Sequence, residues 1–156
     1  MNRSDLQAAL EQRNVQAFLK AIRLGEGTLD EAGYYRIVGG GTFTDDSAHP
    51  KVKVYIPRYD VHSTAAGAYQ IIFPTWSGLC RQYDFPDFTP ASQDEAAVAL
   101  IAEKHALGDV KAGRLADAVA KCASIWASLP GSDAGQRTES FDAVELTYLQ
   151  NGGTIA

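Results

Sequence analysis

Cysteine is scarce in this chain, and the little there is sits badly for a bridge or a metal. Cys80 and Cys122 lie far apart and fit no metal-ligand spacing. Each neighbours small or apolar residues, which reads as two buried free thiols rather than a disulfide. The histidines, His49, His62 and His105, show no ligand spacing with one another or with the cysteines, so a metal site is not expected. An excess of positive charge is also missing. A net charge of −5 argues against a nucleic-acid partner, because such binding rests on neutralising phosphates. No apolar run reaches the length of a bilayer crossing, so stable membrane insertion is not expected. The opening residues, M-N-R-S-D-L-Q-A-A-L-E-Q-R, lack the apolar core of a signal peptide. They imply synthesis in the cytoplasm without a Sec-type export signal. Repeats and low-complexity tracts are absent too, and 156 residues suit one domain with a real core.

What is present is organised around Val15 to Thr28, V-Q-A-F-L-K-A-I-R-L-G-E-G-T. Val15, Phe18, Leu19 and Ile22 recur at i, i+3, i+4 and i+7, one apolar face of a helix. One turn further on the same face stands Glu26, bracketed by Gly25 and Gly27, where a helix ends. Burial and the negative end of the helix dipole both disfavour its charged form and raise its pKa. A carboxylic acid still protonated near neutrality is what a glycosidase needs as general acid. The plainer alternative is a solvated Glu on a frayed helix end.

Residues 4 to 12 read as a short helix with Ser4 and Gln7 as a capping box, and Asn14 starts the Val15 helix. The aromatic and β-branched run after Glu31 leads into Gly39, Gly40 and Gly41 and predicts a strand, a tight turn and a second strand. No G-K-[ST] follows, so these glycines are not a phosphate loop. Lys51 to Ile56 alternates as a third strand closed by Pro57, giving one small antiparallel sheet over roughly residues 34 to 62. Helices are expected over Ala65 to Phe73, stopped by Pro74, and over Thr75 to Tyr83. Another follows from a Ser92–Glu95 capping box to Gly108, apolar nearly all round from Ala96 to Ala102. Further helices carry Leu115 to Cys122 and start from Ser140. The fold class is α+β: mostly helical, with one small antiparallel sheet lobe and a cleft between them.

The stretch S-T-A-A-G-A-Y-Q-I-I-F-P-T-W, Ser63 to Trp76, resembles the G-x-x-Q-I/L-x-P motif that follows the catalytic Glu of lytic transglycosylases and goose-type lysozymes. The whole pattern is most similar to the lambda-type phage lysozymes, which are endolysins. It runs E-G-T (Glu26 to Thr28), I-V-G-G (Ile37 to Gly40), F-T-D-x-S-x-H-P (Phe43 to Pro50) and S-T-x-x-G-x-Y-Q (Ser63 to Gln70). S-Q-D (Ser92 to Asp94), C-x-x-I-W-A-S-L-P-G (Cys122 to Gly131) and N-G-G-T (Asn151 to Thr154) complete it. Each motif is weak alone; in this order, over nearly the whole chain, they are strong. Residues 1–13 extend beyond the family pattern, and the Gly27 to Gly33 loop is shorter than it.

The resemblance implies a lysozyme-like fold, bacterial peptidoglycan as partner, and cleavage of the β-1,4 bond between N-acetylmuramic acid and N-acetylglucosamine. It also implies transglycosylation, which leaves a 1,6-anhydro ring on the muramic acid, with no cofactor. Glu26 is then the catalytic residue. Ser63 and Thr64 orient it by hydrogen bond or serve as helix caps, and Tyr69 and Gln70 contact the sugar or, for Tyr69, fill the core. Lys51 and Lys53, with Arg58, form a basic segment that either meets the carboxylates of the peptidoglycan stem peptides or solvates an edge strand. A hydrolytic muramidase would need a second carboxylate, for which Asp45 and Asp46 are the candidates; T-D-D-S is also a turn sequence. Trp126 reads as core, and the Leu129 to Glu139 loop as the opposing lip. An inactive wall-binding virion protein is the rival from another class. An endolysin of this kind is expected to act as a monomer and to wait in the host cytoplasm for a holin; a virion-associated enzyme is the alternative.

Overall fold

The computed structural model describes residues 1–131 and 138–156. Among them, seven α-helices and one two-stranded antiparallel sheet form an α+β architecture dominated by helix. Helix α1 (Arg3–Leu10) is opened by a capping box of Asn2 and Asp5, not by Ser4 and Gln7. The Asn2 side chain accepts from the Asp5 amide, and the Asp5 carboxylate accepts from the Asn2 amide at 2.7 Å. α1 buries Leu6 and Ala9 and packs on α4 (Pro90–Glu103). Residues 1–13, which carry no family motif, therefore contribute to the core.

Helix α2 (Arg13–Glu26) buries Val15, Phe18, Leu19 and Ile22, the face that the spacing predicts. Asn14 lies inside it rather than before it. Its carboxamide donates to the Lys111 carbonyl at 3.2 Å and accepts from the Thr154 amide at 3.0 Å. Against α2 pack α7 (Phe141–Gln150) and α5 (Leu107–Ala112), with α6 (Leu115–Cys122) beside α5. One hydrophobic cluster runs through these helices, from Leu6 to Tyr148. Cys80 and Cys122 are both free.

The sheet is smaller than the sequence suggests. Strands β1 (Val54–Ile56) and β2 (Val61–Ser63) pair antiparallel, Val54 opposite Ser63 and Ile56 opposite Val61. Lys51 takes a left-handed φ of 55°, which breaks the expected strand before it starts. The predicted strands around the glycine triplet are a 3₁₀ turn at Glu31–Tyr35 and one bridge between Arg36 and Thr42. Gly39 and Gly40, at φ of 87° and 99°, make the turn between them.

The expected Ala65 to Phe73 helix does not form. Ala66 and Ile71 bridge to each other instead, across left-handed residues Gly67 (φ 83°) and Gln70 (φ 50°). A tertiary contact overrides the local helix preference: the buried Gln93 carboxamide accepts from the Ala68 amide at 2.9 Å. It also donates to the Phe88 carbonyl at 2.9 Å and the Tyr34 carbonyl at 3.1 Å. A side chain at position 67 would collide with Gln93. Pro74 starts rather than stops a helix, lying in the first turn of α3 (Phe73–Tyr83). Likewise α4 begins at Pro90 behind an N-cap Thr89, so Ser92 and Glu95 lie within it. It ends at Glu103 instead of Gly108, just before His105 turns left-handed at φ 56°.

Candidate active site

The last turn of α2 sets the site. Gly27, left-handed at φ 71°, ends the helix and returns its N–H to the Arg23 and Leu24 carbonyls. The chain beyond it is held by Arg23, whose side chain is buried. Its Nε donates to the Thr28 carbonyl at 2.9 Å, and Nη2 donates to the Thr28 and Asp30 carbonyls at 2.6 Å each. The guanidinium carbon lies 4.3 Å from the centre of the Tyr34 ring. The Thr28 hydroxyl donates to the Ala68 carbonyl, fastening the same turn to the 66–71 segment. Arg23 was missed in the sequence, although its place four residues after Leu19, on the edge of the apolar face, is a local signal.

Glu26 is thereby held, half-buried, at the wall of a cleft of about 590 Å³. The cleft runs between the end of α2, the Val38–Gly39 turn, the β1–β2 hairpin, residues 65–72 and the 125–128 segment. Burial pushes the Glu26 carboxyl up to about 7. No hydrogen bond or ion pair among the described residues pulls it back down. At neutral pH such a group is divided between acid and carboxylate, the condition for giving a proton and taking one back. It is the only carboxyl among the described residues that line the cleft.

The other candidates separate into cleft and framework. Ser63 and Gln70 line the cleft with Glu26. The Ser63 hydroxyl accepts from the Ala65 amide at 3.1 Å, and the Gln70 carboxamide donates to the Gly67 carbonyl at 2.8 Å. Thr64 accepts from the Phe73 amide at 2.8 Å, satisfying the first residue of α3. Tyr69 is buried and donates to Asp94 at 2.6 Å; Tyr34 donates to the same oxygen at 2.9 Å. Trp126 is buried, its indole N–H donating to the Tyr69 carbonyl at 3.0 Å.

Lys51 and Lys53 are exposed and outside the cleft lining, the Lys51 ammonium lying 4.5 Å from the centre of the Phe73 ring. Arg58, between the two strands, does line the cleft. Asp45 accepts from the Ser47 amide at 3.0 Å and hydroxyl at 2.7 Å, and Asp46 accepts from the Tyr35 hydroxyl at 2.8 Å. Neither aspartate lines the cleft. Residues 132–137, within the expected lip, lie outside the described residues.

The endolysin family model matches residues 16–155. The chain belongs to the endolysin family. It is 39% identical to the endolysin of Escherichia phage P2, over 92% of this chain and 96% of that one. With the endolysin of Escherichia phage lambda it shares 37% identity, over 90% and 92% respectively. The structure of bacteriophage lambda lysozyme complexed with a chitohexasaccharide superposes with a TM-score of 0.87 at 35% identity, covering 93% of this chain and 97% of that one. A second structure of lambda lysozyme gives 0.83 at the same identity and coverage. This endolysin therefore has the lysozyme-like fold. No helix among its described residues is long and apolar enough to cross a membrane. Nor do those residues gather three or more His, Cys, Asp or Glu side chains where a metal could sit.

Proposed function

We propose that this endolysin is a peptidoglycan lytic transglycosylase, cleaving the β-1,4 bond between N-acetylmuramic acid and N-acetylglucosamine through Glu26 alone. The observation that carries this reading is one half-buried carboxyl, poised near neutrality, in a cleft whose described lining holds no second one. A hydrolase needs a partner carboxylate either to activate water or to form a glycosyl-enzyme intermediate. Asp45 and Asp46 bond instead to Ser47 and Tyr35, away from the lining, which supports the one-carboxylate chemistry. The chitohexasaccharide held by the lambda lysozyme supports an extended glycan as occupant of the cleft.

Glu26, protonated, donates to the glycosidic oxygen as that oxygen's bond to C1 of the muramic acid breaks. The C6 hydroxyl of the same muramic acid then attacks C1 and gives its proton to the Glu26 carboxylate. Glu26 returns to its starting state, and no water is consumed. Nucleophile and electrophile belong to one ring, so their effective concentration reaches on the order of 10⁵ M. Ser63 and Gln70 serve the saccharide directly. Thr64 and Tyr69 act behind them, holding the backbone that presents Gln70. Arg58, and more distantly Lys51 and Lys53, meet the stem-peptide carboxylates. The whole chain works as one catalytic unit, released to the wall from the host cytoplasm through a holin lesion.

Mass spectrometry of digested cell wall tests this. The expected muramic termini are one water lighter than those of a hydrolase and inert to borohydride. Ordinary reducing ends would mean a two-carboxylate muramidase. An undigested wall would leave a binding protein.

A further inference from the structure

Ser128 lies in the segment that closes one side of the cleft, and its hydroxyl is out of place for a structural group. Its side chain is buried, 6% of the residue remaining exposed. Its oxygen has no hydrogen-bond partner among the described residues. Its backbone is well held, the Ser128 carbonyl accepting from the Glu139 amide at 2.8 Å. The hydroxyl is packed onto the last turn of α2 at Gly25: a Cβ on Gly25 would stand 2.5 Å from Ser128 Oγ and 3.1 Å from its Cβ. Glycine at position 25 is therefore what lets the hydroxyl come so close to the residue before Glu26. Ser128 and Glu26 line the same cleft, and the Glu26 carboxyl likewise has no hydrogen-bond partner there. A buried hydroxyl left unpartnered in the same cleft wall as that carboxyl is an unusual expense in a folded protein.

We propose that Ser128 is a positioning residue for Glu26, its hydroxyl donating to the carboxylate that forms once Glu26 has given up its proton. The inference rests on Glu26 being the acid and base. A protonated carboxyl gains little from an added donor, whereas a carboxylate gains a charge-assisted hydrogen bond. The hydroxyl thus favours the state that must take a proton from the sugar, and it holds the carboxylate in one rotamer to do so. Other groups around the cleft do not supply this. The titratable side chains sharing the lining are Arg58 and Tyr59 of the hairpin. Arg23 on α2 is turned to the Thr28 and Asp30 carbonyls, Arg36 to Asp30, and Tyr69 to Asp94. The 123–131 segment contains no ionisable side chain.

The test is the pH profile of Ser128→Ala, with its melting temperature, beside the parent enzyme. A hydrogen bond to the charged form lowers a pKa, so its loss moves the alkaline limb of kcat/KM to higher pH. The expected result is about a tenfold fall in kcat, little change in KM, that upward shift, and a melting temperature unchanged or raised. Gly25→Ala should push the hydroxyl aside and give a milder copy of the same changes. In the Ser128→Ala background it should add almost nothing to them. Unchanged kcat and limb in Ser128→Ala overturn the proposal, and so does a fall in activity that merely follows a fall in stability. Glu26→Gln, run alongside, keeps the two readings apart. If it is inactive while Ser128→Ala is normal, only the role of Ser128 fails; if it is active, the assignment of Glu26 fails and Ser128 with it.

Discussion

The end of α2 and the β1–β2 hairpin line one cleft, yet they are held in opposite ways. Behind Glu26 stand Val15, Phe18 and Ile22, almost without solvent exposure, and an arginine that ties down the turn beyond the helix. The hairpin has two strands of three residues each, with Tyr55, Tyr59 and Val61 each 40% exposed or more. One of its fastenings is short-range, the Tyr55 hydroxyl donating to Asp60 at 2.6 Å. On the proposed mechanism Glu26 is the reacting acid, which has to be placed to a fraction of an ångström and so belongs on the deeply packed side. The hairpin, proposed to grip the polymer, can be thin and can leave apolar area uncovered for it. Substitutions behind Glu26 should therefore cost chemistry or stability, and substitutions in the hairpin should cost binding.

The largest effect is expected from Glu26→Gln. The amide keeps the shape of the acid and cannot donate the proton, so lysis should fall by about a thousandfold or more. Turbidity loss of a cell-wall suspension measures this, with circular dichroism as the control for folding. Near-normal lysis by a folded variant would remove Glu26 from the mechanism.

Arg23 supports that acid from behind. Arg23→Met keeps the bulk but leaves the Thr28 and Asp30 carbonyls without their donors and the Tyr34 ring without its cation. Denaturant unfolding should show a loss of about 3 kcal/mol. A loss within ~0.5 kcal/mol would mean that Gly27 and the Thr28–Ala68 hydrogen bond hold the turn after Glu26 without the arginine.

That brace also marks where the sequence could and could not be read. The position of Glu26 was legible because the signals that put it at the end of an apolar helix face are local: a 3.6-residue period, then two glycines. Ser63 to Gln70 was legible as a motif but not as a shape. Alanine, tyrosine and glutamine are acceptable in a helix, and nothing nearby announces that Gln93 will occupy the backbone of Ala68. The S-Q-D motif was visible only through family resemblance, and the structure supplies its physics. The Ser92 hydroxyl donates to Asp87 at 2.6 Å, Gln93 bonds three stretches of backbone, and Asp94 accepts from two tyrosines. Ser128 lay in a recognised motif, but only the fold brings it against Gly25. Contacts between residues distant in sequence leave no periodicity to detect.

A stability test sharpens the contrast, because burying Glu26 carries a cost. Below its ordinary value of 4.5 the carboxyl is protonated in folded and unfolded chains alike. Between 4.5 and about 7 only the folded chain keeps the proton. Folding stability therefore declines as pH rises through that window and levels off above it, by on the order of 2 kcal/mol. Glu26→Gln has no proton to lose and should lack this decline, so at pH ~8 it should melt above the parent enzyme. Activity of the parent should fall over the upper part of the same range, as the acid ionises. A parent and variant with parallel stability profiles would show that the carboxyl is better solvated than its position implies.

The smallest effects should come from the basic residues of the hairpin side, and they test whether position or mere charge matters there. Arg58 lines the cleft, whereas Lys51 and Lys53 stand outside it. Arg58→Gln removes a charge that a bound stem peptide can meet closely, and KM for cell wall should rise severalfold with kcat nearly unchanged. Lys51→Gln together with Lys53→Gln removes two charges that can reach the cleft only through solvent, where salt screens them over about 8–10 Å. KM should then change by less than about twofold, with a flatter salt dependence of wall binding as the main sign. The lysine pair should lose no more than about 1 kcal/mol of stability, since both side chains are at the surface and only Lys51 lies over a ring. If the lysine pair raises KM as much as Arg58→Gln does, the polymer is captured by the field of the whole segment and the cleft-lining place of Arg58 has no special weight. If neither variant changes KM or the salt profile, the lysines serve only to keep a short, exposed strand edge from pairing with another chain.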